Sequence, residues 1–150
     1  MLTGNVRALN ALAHAKEEVA LQRSMLTDEF QERRQSFTPA ELEAMLASQA
    51  REQGYLATFY KEAPPAESSR LVTLLGDKDI VGIELTKSWA LTLGLKGQSL
   101  SRYPGRDRML QTWFQHSTRA IEQMATAEKS VSSLVLDRPG SCSPASSATR

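Results

Sequence analysis

The chain has 150 residues, 41% hydrophobic, 23% charged and 6% aromatic, the composition of one globular domain whose core rests on aliphatic side chains. Its 18 Lys and Arg against 17 Asp and Glu leave a formal charge of +1, which excludes a histone-like or polybasic chain. A single cysteine, Cys142, excludes an internal disulfide framework and leaves no partners for a structural zinc site.

Lys16, Glu17 and Glu18 interrupt the first apolar stretch before it could serve as a secretory h-region. The longest uncharged apolar stretches, Ala8–Ala15 and Ser88–Leu95, are eight residues each, far short of a membrane span. The expectation is a cytoplasmic protein with no membrane partner.

Residues 5 to about 35 are predicted as one long helix with Asn5 as its N-cap. Leu9, Leu12, Val19, Leu26 and Phe30 fall on one stripe, and Glu17, Glu18, Asp28, Glu29 and Glu32 lie opposite. Lys16 and Arg23 interrupt the positions between, so a perfect heptad seam is not expected. Thr38-Pro39-Ala40-Glu41 is the strongest local signal: a capping hydroxyl, a proline at the first helical position and a carboxylate at N3. The helix it opens carries Leu42, Met45, Leu46, Gln49, Leu56, Phe59 and Tyr60 at helical spacing and ends at Pro64-Pro65. A short join makes residues 5–63 an antiparallel helical hairpin.

Residues 64–69 are expected as a linker. Residues 70–85 admit two strands around Gly76–Asp79, or a short helix stopped by Gly76 and then an extended piece. The helix is preferred, because no third strand is available to complete a sheet. Glu84–Leu93 is predicted as a helix ended by Gly94, followed by a short helix at Gln98–Tyr103 and a turn at Pro104-Gly105. A last helix runs from Arg106–Asp107 to about Leu136, with Leu110, Trp113, Phe114, Ser117, Ile121, Met124, Val131 and Leu134 on its buried side. The fold class is therefore all-α: one domain over 1–136, made of the 5–63 hairpin and a 70–136 segment, with 137–150 a disordered tail.

The segment Thr86–Gly105, TKSWALTLGLKGQSLSRYPG, carries a small residue at its fifth position, Ala90, and a glycine at its ninth, Gly94. Trp89, Leu93, Leu95, Leu100 and Tyr103 occupy apolar positions. Two helices crossing at close range need a small contact residue, and the tight turn between them favours a left-handed glycine. In these residues the segment resembles the helix-turn-helix of phage-repressor-type DNA-binding regulators. The resemblance implies a reading helix in the major groove, with Lys96, Gln98, Ser99, Ser101 and Arg102 facing bases and phosphates and Arg106 and Arg108 beside them. Lys87, Lys96, Arg102, Arg106 and Arg108 against Asp107 give this window a local charge of +4, and residues 16–62 carry −3.

No HExxH, Cys/His cluster, phosphate loop or GxSxG elbow occurs, and His14 and His116 sit on separate helices as packing or surface residues. No catalytic residue, metal or cofactor and no small-molecule substrate is expected. The functional expectation is a non-enzymatic regulator or accessory factor that binds duplex DNA as a dimer. Its alternative is a helical adaptor or chaperone that captures a protein partner, or a second copy, through Leu9, Leu12, Val19, Leu26 and Phe30.

Overall fold

A computed structural model describes residues 2–31, 37–98 and 104–136, and the expected tail lies outside them. Five α-helices make up the regular structure of these residues: α1 (Leu2–Gln31), α2 (Pro39–Glu62), α3 (Pro65–Leu75), α4 (Lys78–Leu95) and α5 (Arg106–Leu136). The chain is all-α, as its periodicity implies.

Local sequence sets most boundaries. Thr38 Oγ1 accepts from Glu41 N at 3.1 Å, and Thr38 N donates to the Glu41 carboxylate at 2.8 Å, the reciprocal capping box that opens α2. Pro64 and Pro65 end α2, but they also begin a helix. Pro65 is the first residue of α3, so the expected 64–69 linker is helical from its second residue. The strand pair weighed for 70–85 is absent from the described residues. Gly76 caps α3, and Asp77, accepting from Asp79 N at 2.8 Å, caps α4. The helix expected from Glu84 therefore begins six residues earlier, at Lys78. Asn5 is no cap, because α1 is already helical at Leu2.

Cross-helix contacts give the topology. Going along α1, Arg7 meets Glu62, His14 stacks on Tyr55, Glu18 meets Arg51 and Gln22 meets Ser48, so α2 runs antiparallel to α1. Lys16 pairs with Glu128 and Arg23 with Thr118, so α5 is antiparallel to α1 on its other flank. Helices α3 and α4 pack on α5, and α4 also reaches α1 and α2 through Lys87.

The α1 stripe is core. Ala8, Leu12, Ala15, Val19, Gln22, Leu26 and Glu29 are buried at alternating four- and three-residue steps. A heptad seam therefore exists; its intervening positions are Ala8, Ala15, Gln22 and Glu29, and Lys16 and Arg23 lie beside it. Opposite it, α5 buries Trp113, Ser117, Ala120, Met124, Ala127 and Val131 with the same rhythm. Phe114 and Leu134, expected on that side, are exposed, and the Arg23 guanidinium covers the Phe114 ring 4.8 Å from its centroid. On α2 the buried positions are Met45, Ser48, Glu52 and Phe59, and Leu46 is exposed.

Gly94 lies inside α4, where a Cβ would come within 2.6 Å of Phe37 Cδ2. Helix propensity alone favours Ala over Gly by about 1 kcal/mol. The buried Phe37 ring reverses that preference, so Gly94→Ala is expected to destabilise the fold by about 1–3 kcal/mol through overpacking. Urea denaturation of the two proteins checks the sign.

Candidate functional site

A cavity of about 320 Å³ opens where α4 crosses the α1–α2 hairpin and α5. Apolar side chains form most of its wall, among them Val19, Leu56, Ile83, Trp113 and Met124. Its polar contribution comes from Gln22, Glu52, Gln53, Glu84 and Lys87. Trp113 is held in place by its indole N–H, which donates to the Arg23 carbonyl at 3.2 Å.

Lys87 is the unusual member. A lysine is among the residue types least often buried, yet this side chain is 2% exposed. Its helix explains how it gets there: α4 carries Ile80, Ile83, Ala90 and Leu91 on the face turned inward, and Lys87 shares that face. Burying an ammonium is costly unless partners replace its water. Lys87 Nζ donates to Gln22 Oε1 at 2.9 Å, lies 3.2 Å from Glu84 Oε2 and lies 3.6 Å from Glu52 Oε1. Three helices thus meet at one charge.

The network continues away from the cavity. Gln22 Nε2 donates to Glu52 Oε1 at 3.0 Å and to Ser48 Oγ at 3.3 Å. Ser48 Oγ in turn donates to Glu18 Oε1 at 2.7 Å, and Arg51 holds both oxygens of Glu18, at 2.9 and 3.1 Å. Only one orientation of the Gln22 amide serves all these neighbours: oxygen to the ammonium, nitrogen to the acceptors. The chain Lys87–Gln22–Ser48–Glu18–Arg51 runs from the buried cation to the protein surface.

Arg51 and Ser48, by their hydrogen bonds to the carboxylate, hold Glu18 below its ordinary value of 4.5, against the opposing effect of burial. The Arg7 hydrogen bond does the same for Glu62, and the Asp79 backbone N–H for Asp77. Among the described residues no group of three or more His, Cys, Asp or Glu is placed to hold a metal ion. No described helix is long and apolar enough to cross a membrane.

The residues expected to read DNA are not gathered into a comparable site. Lys96 and Gln98 are exposed at the end of α4, Arg106 and Arg108 lie in the first turn of α5, and Ser99, Ser101 and Arg102 fall outside the described residues. Arg106 pairs with its neighbour Asp107 at 3.2 Å. Gly94 does not make the turn that the helix-turn-helix requires, because α4 continues through it to Leu95. The left-handed residue is Gly97, with φ +71°. Gln98 N donates to Leu93 O and Gly97 N to Gly94 O, at 2.9 and 3.0 Å, a Schellman ending in place of the expected turn. Leu95, expected to be buried, is 71% exposed. Lys87, counted in the basic window, is inside the protein.

The expected partner-capturing stripe faces inward as well. Leu12, Val19 and Leu26 are buried and Leu9 packs against them; Phe30 belongs to α1, but its side chain falls outside the description. Val19 instead lines the cavity.

The described residues thus form an all-helical bundle with a buried, partnered cation at a cavity. The family comparison is specific: the model of the nitrate- and nitrite-sensing family, NIT, matches residues 1–136. The chain belongs to that family. No curated protein and no solved structure matches it. This membership corrects both the helix-turn-helix resemblance to repressor-type regulators and the DNA-binding function drawn from it. The adaptor alternative is corrected with them.

Sequence reasoning did not single out Gln22, Glu52, Glu84 or Lys87. The signal for Gln22 was present: it falls seven residues after Ala15 and seven before Glu29 on the α1 seam.

Two outcomes follow from this geometry. Lys87→Met leaves Glu52 without its buried countercharge and is expected to cost about 3–5 kcal/mol. Lys87→Met combined with Glu52→Gln should recover much of that loss, so a double-mutant cycle read by denaturation should give a large coupling. Strictly additive effects would contradict the buried pair.

Acid stability is the second. The folded-state value of Glu18 lies below its unfolded one, so its contribution is present above about pH 4.5 and is lost as pH falls through the depressed value. Glu18→Gln is expected to lower stability near neutrality and to flatten, without abolishing, the acid limb of a stability–pH curve. Glu62 and Asp77, held low in the same way, act in the same direction.

Proposed function

We propose that this chain is a non-catalytic sensing module for a small planar oxyanion of the nitrate and nitrite type, received in the cavity at Lys87. The observation that carries the reading is the ammonium of Lys87, buried yet lining a cavity of about 320 Å³. Family membership supplies the ligand class. The chemistry supports it in three respects.

A small monoanion leaving water needs a positive charge in a site where the electrostatics are not screened, and a buried ammonium provides one. The cavity has room for the anion and several waters, because liquid water takes roughly 30 Å³ per molecule. The cavity is also walled by four of the five helices at their crossing, together with Leu75 at the end of α3. A ligand there touches the elements whose relative placement defines the fold. Occupancy can shift that placement only as far as the anion binds one arrangement more tightly than another. The reading replaces the expectation of a chain without a small-molecule ligand.

Calorimetric titration of the chain with sodium nitrate and sodium nitrite, in chloride buffer of matched ionic strength, tests it. Saturable binding of at least one anion is expected, with no comparable binding of sulfate. At a hundred times the dissociation constant the ligand should raise unfolding free energy by about 2.7 kcal/mol. The Lys87→Met/Glu52→Gln protein should fold and lose the response. Equal thermal stability in nitrate, nitrite and chloride would overturn the proposal.

A further inference from the structure

Three groups face the Lys87 ammonium, and they are not equivalent. Gln22 and Glu52 are interior, 1% and 7% exposed, and each is held by another hydrogen bond within the α1–α2 hairpin. Glu84 stands at the cavity wall on α4, three residues before Lys87, and its side chain is 56% exposed. Among the described residues Lys87 is the partner of its carboxylate. It is the one partner of Lys87 that can turn into solvent without leaving a buried group stranded.

We infer that Glu84 is a built-in competitor for the anion site: its carboxylate occupies the position at Lys87 that a small planar monoanion takes, and binding requires its displacement. The inference rests on the reading of the Lys87 cavity as the anion site and names what regulates it.

The chemistry of the two groups is alike. A carboxylate is a planar unit with one negative charge shared over two oxygens, as is nitrite; nitrate spreads the same charge over three. Each can accept from an ammonium donor at the distance Glu84 now occupies. The charge count then makes the two exclusive. With Glu84 in place, Lys87 already faces two carboxylates, and a third anion beside them would be repelled in a wall that is mostly apolar. Exchange of Glu84 for the anion leaves the local charge unchanged. The interior pair of Lys87 with Glu52 and Gln22 remains intact throughout.

Exchange also supplies a mechanical signal. Glu84 leaves the cavity wall on the exposed side of α4, while Lys87, one turn on, keeps its ties to α1 and α2. Competition of this kind weakens the apparent affinity, so the sensor responds at higher anion concentration than the bare cation would.

Titration calorimetry with nitrate and with nitrite tests this on four variants of the 150-residue chain beside the parent. These are Glu84→Gln, Glu84→Ala, the Lys87→Met/Glu52→Gln double variant, and Glu43→Gln. Glu43 is an exposed α2 carboxylate that lines no part of the cavity, so it reports the general effect of one charge less. Both Glu84 variants should bind about tenfold more tightly than the parent, with Glu43→Gln within about twofold. Binding seen only in the Glu84 variants carries the same meaning.

Unchanged or weakened binding in both Glu84 variants, with binding lost in the double variant, overturns the competitor and leaves the site standing. An equal gain from Glu43→Gln also overturns it, because the effect is then one of net charge. If the double variant binds like the parent, or if none of the proteins binds, the site reading fails and the competitor falls with it.

Discussion

The ammonium of Lys87 is the constraint on which the arrangement of α4 depends. Burying it removes its water, and the fold replaces that water with Gln22 from α1 and Glu52 from α2. Apolar packing alone would orient α4 weakly, since Leu85 and Leu95 on its outer side are as hydrophobic as the residues it buries. Turning the helix by one residue, about 100°, would bring Ser88 to the cavity and leave Glu52 facing no cation. The charge therefore selects one rotation of a helix that hydrophobicity would leave ambiguous.

That selection propagates through polar contacts of decreasing burial. Gln22 passes from Lys87 to Ser48, Ser48 to Glu18, and Glu18 to Arg51 at the surface. The same chain pins the register of the α1–α2 hairpin, because sliding one helix by a turn would part its three α1–α2 contacts. On the other flank Arg23 does a parallel service with its backbone and side chain together. Its carbonyl fixes Trp113 in the cavity wall, and its guanidinium bonds Thr118 and covers Phe114. The cavity exists between these two sets of clamps, which hold α2, α4 and α5 around α1 without filling the space where they meet.

What the sequence made legible was local. The Thr38–Glu41 capping box, the Pro64-Pro65 stop and the α5 stripe need no information beyond a dozen neighbouring residues; the first two stand where they were expected, and the stripe does so except at Phe114 and Leu134. The site was illegible because its members are 65 and 30 residues apart, at Gln22–Lys87 and Gln22–Glu52. A charge count along the chain treats every lysine as solvated, and so it placed Lys87 in a basic surface that loses one of its cations once the helix packs. Gln22 was hidden differently. Attention to Leu12, Val19 and Leu26 found one half of the α1 seam, and the other half reads Ala, Ala, Gln, Glu, which a search for large apolar residues passes over.

The helix-turn-helix pattern failed for a physical reason that also explains why it arose. Both structures need a small residue where helices approach closely and a glycine near a helix end. In α4 those demands come from elsewhere. Ala90 is fully buried, Gly94 admits the Phe37 ring, and the left-handed glycine that ends the helix is Gly97. The same residue types at nearly the same spacing serve a longer helix that packs lengthwise against a bundle. A pattern of small residues reports that something comes close; it does not report whether that something is a second short helix or a ring on a distant segment. The deciding residue is Lys87, which a groove-reading motif would turn outward to phosphate and which this fold turns inward to Gln22 and Glu52.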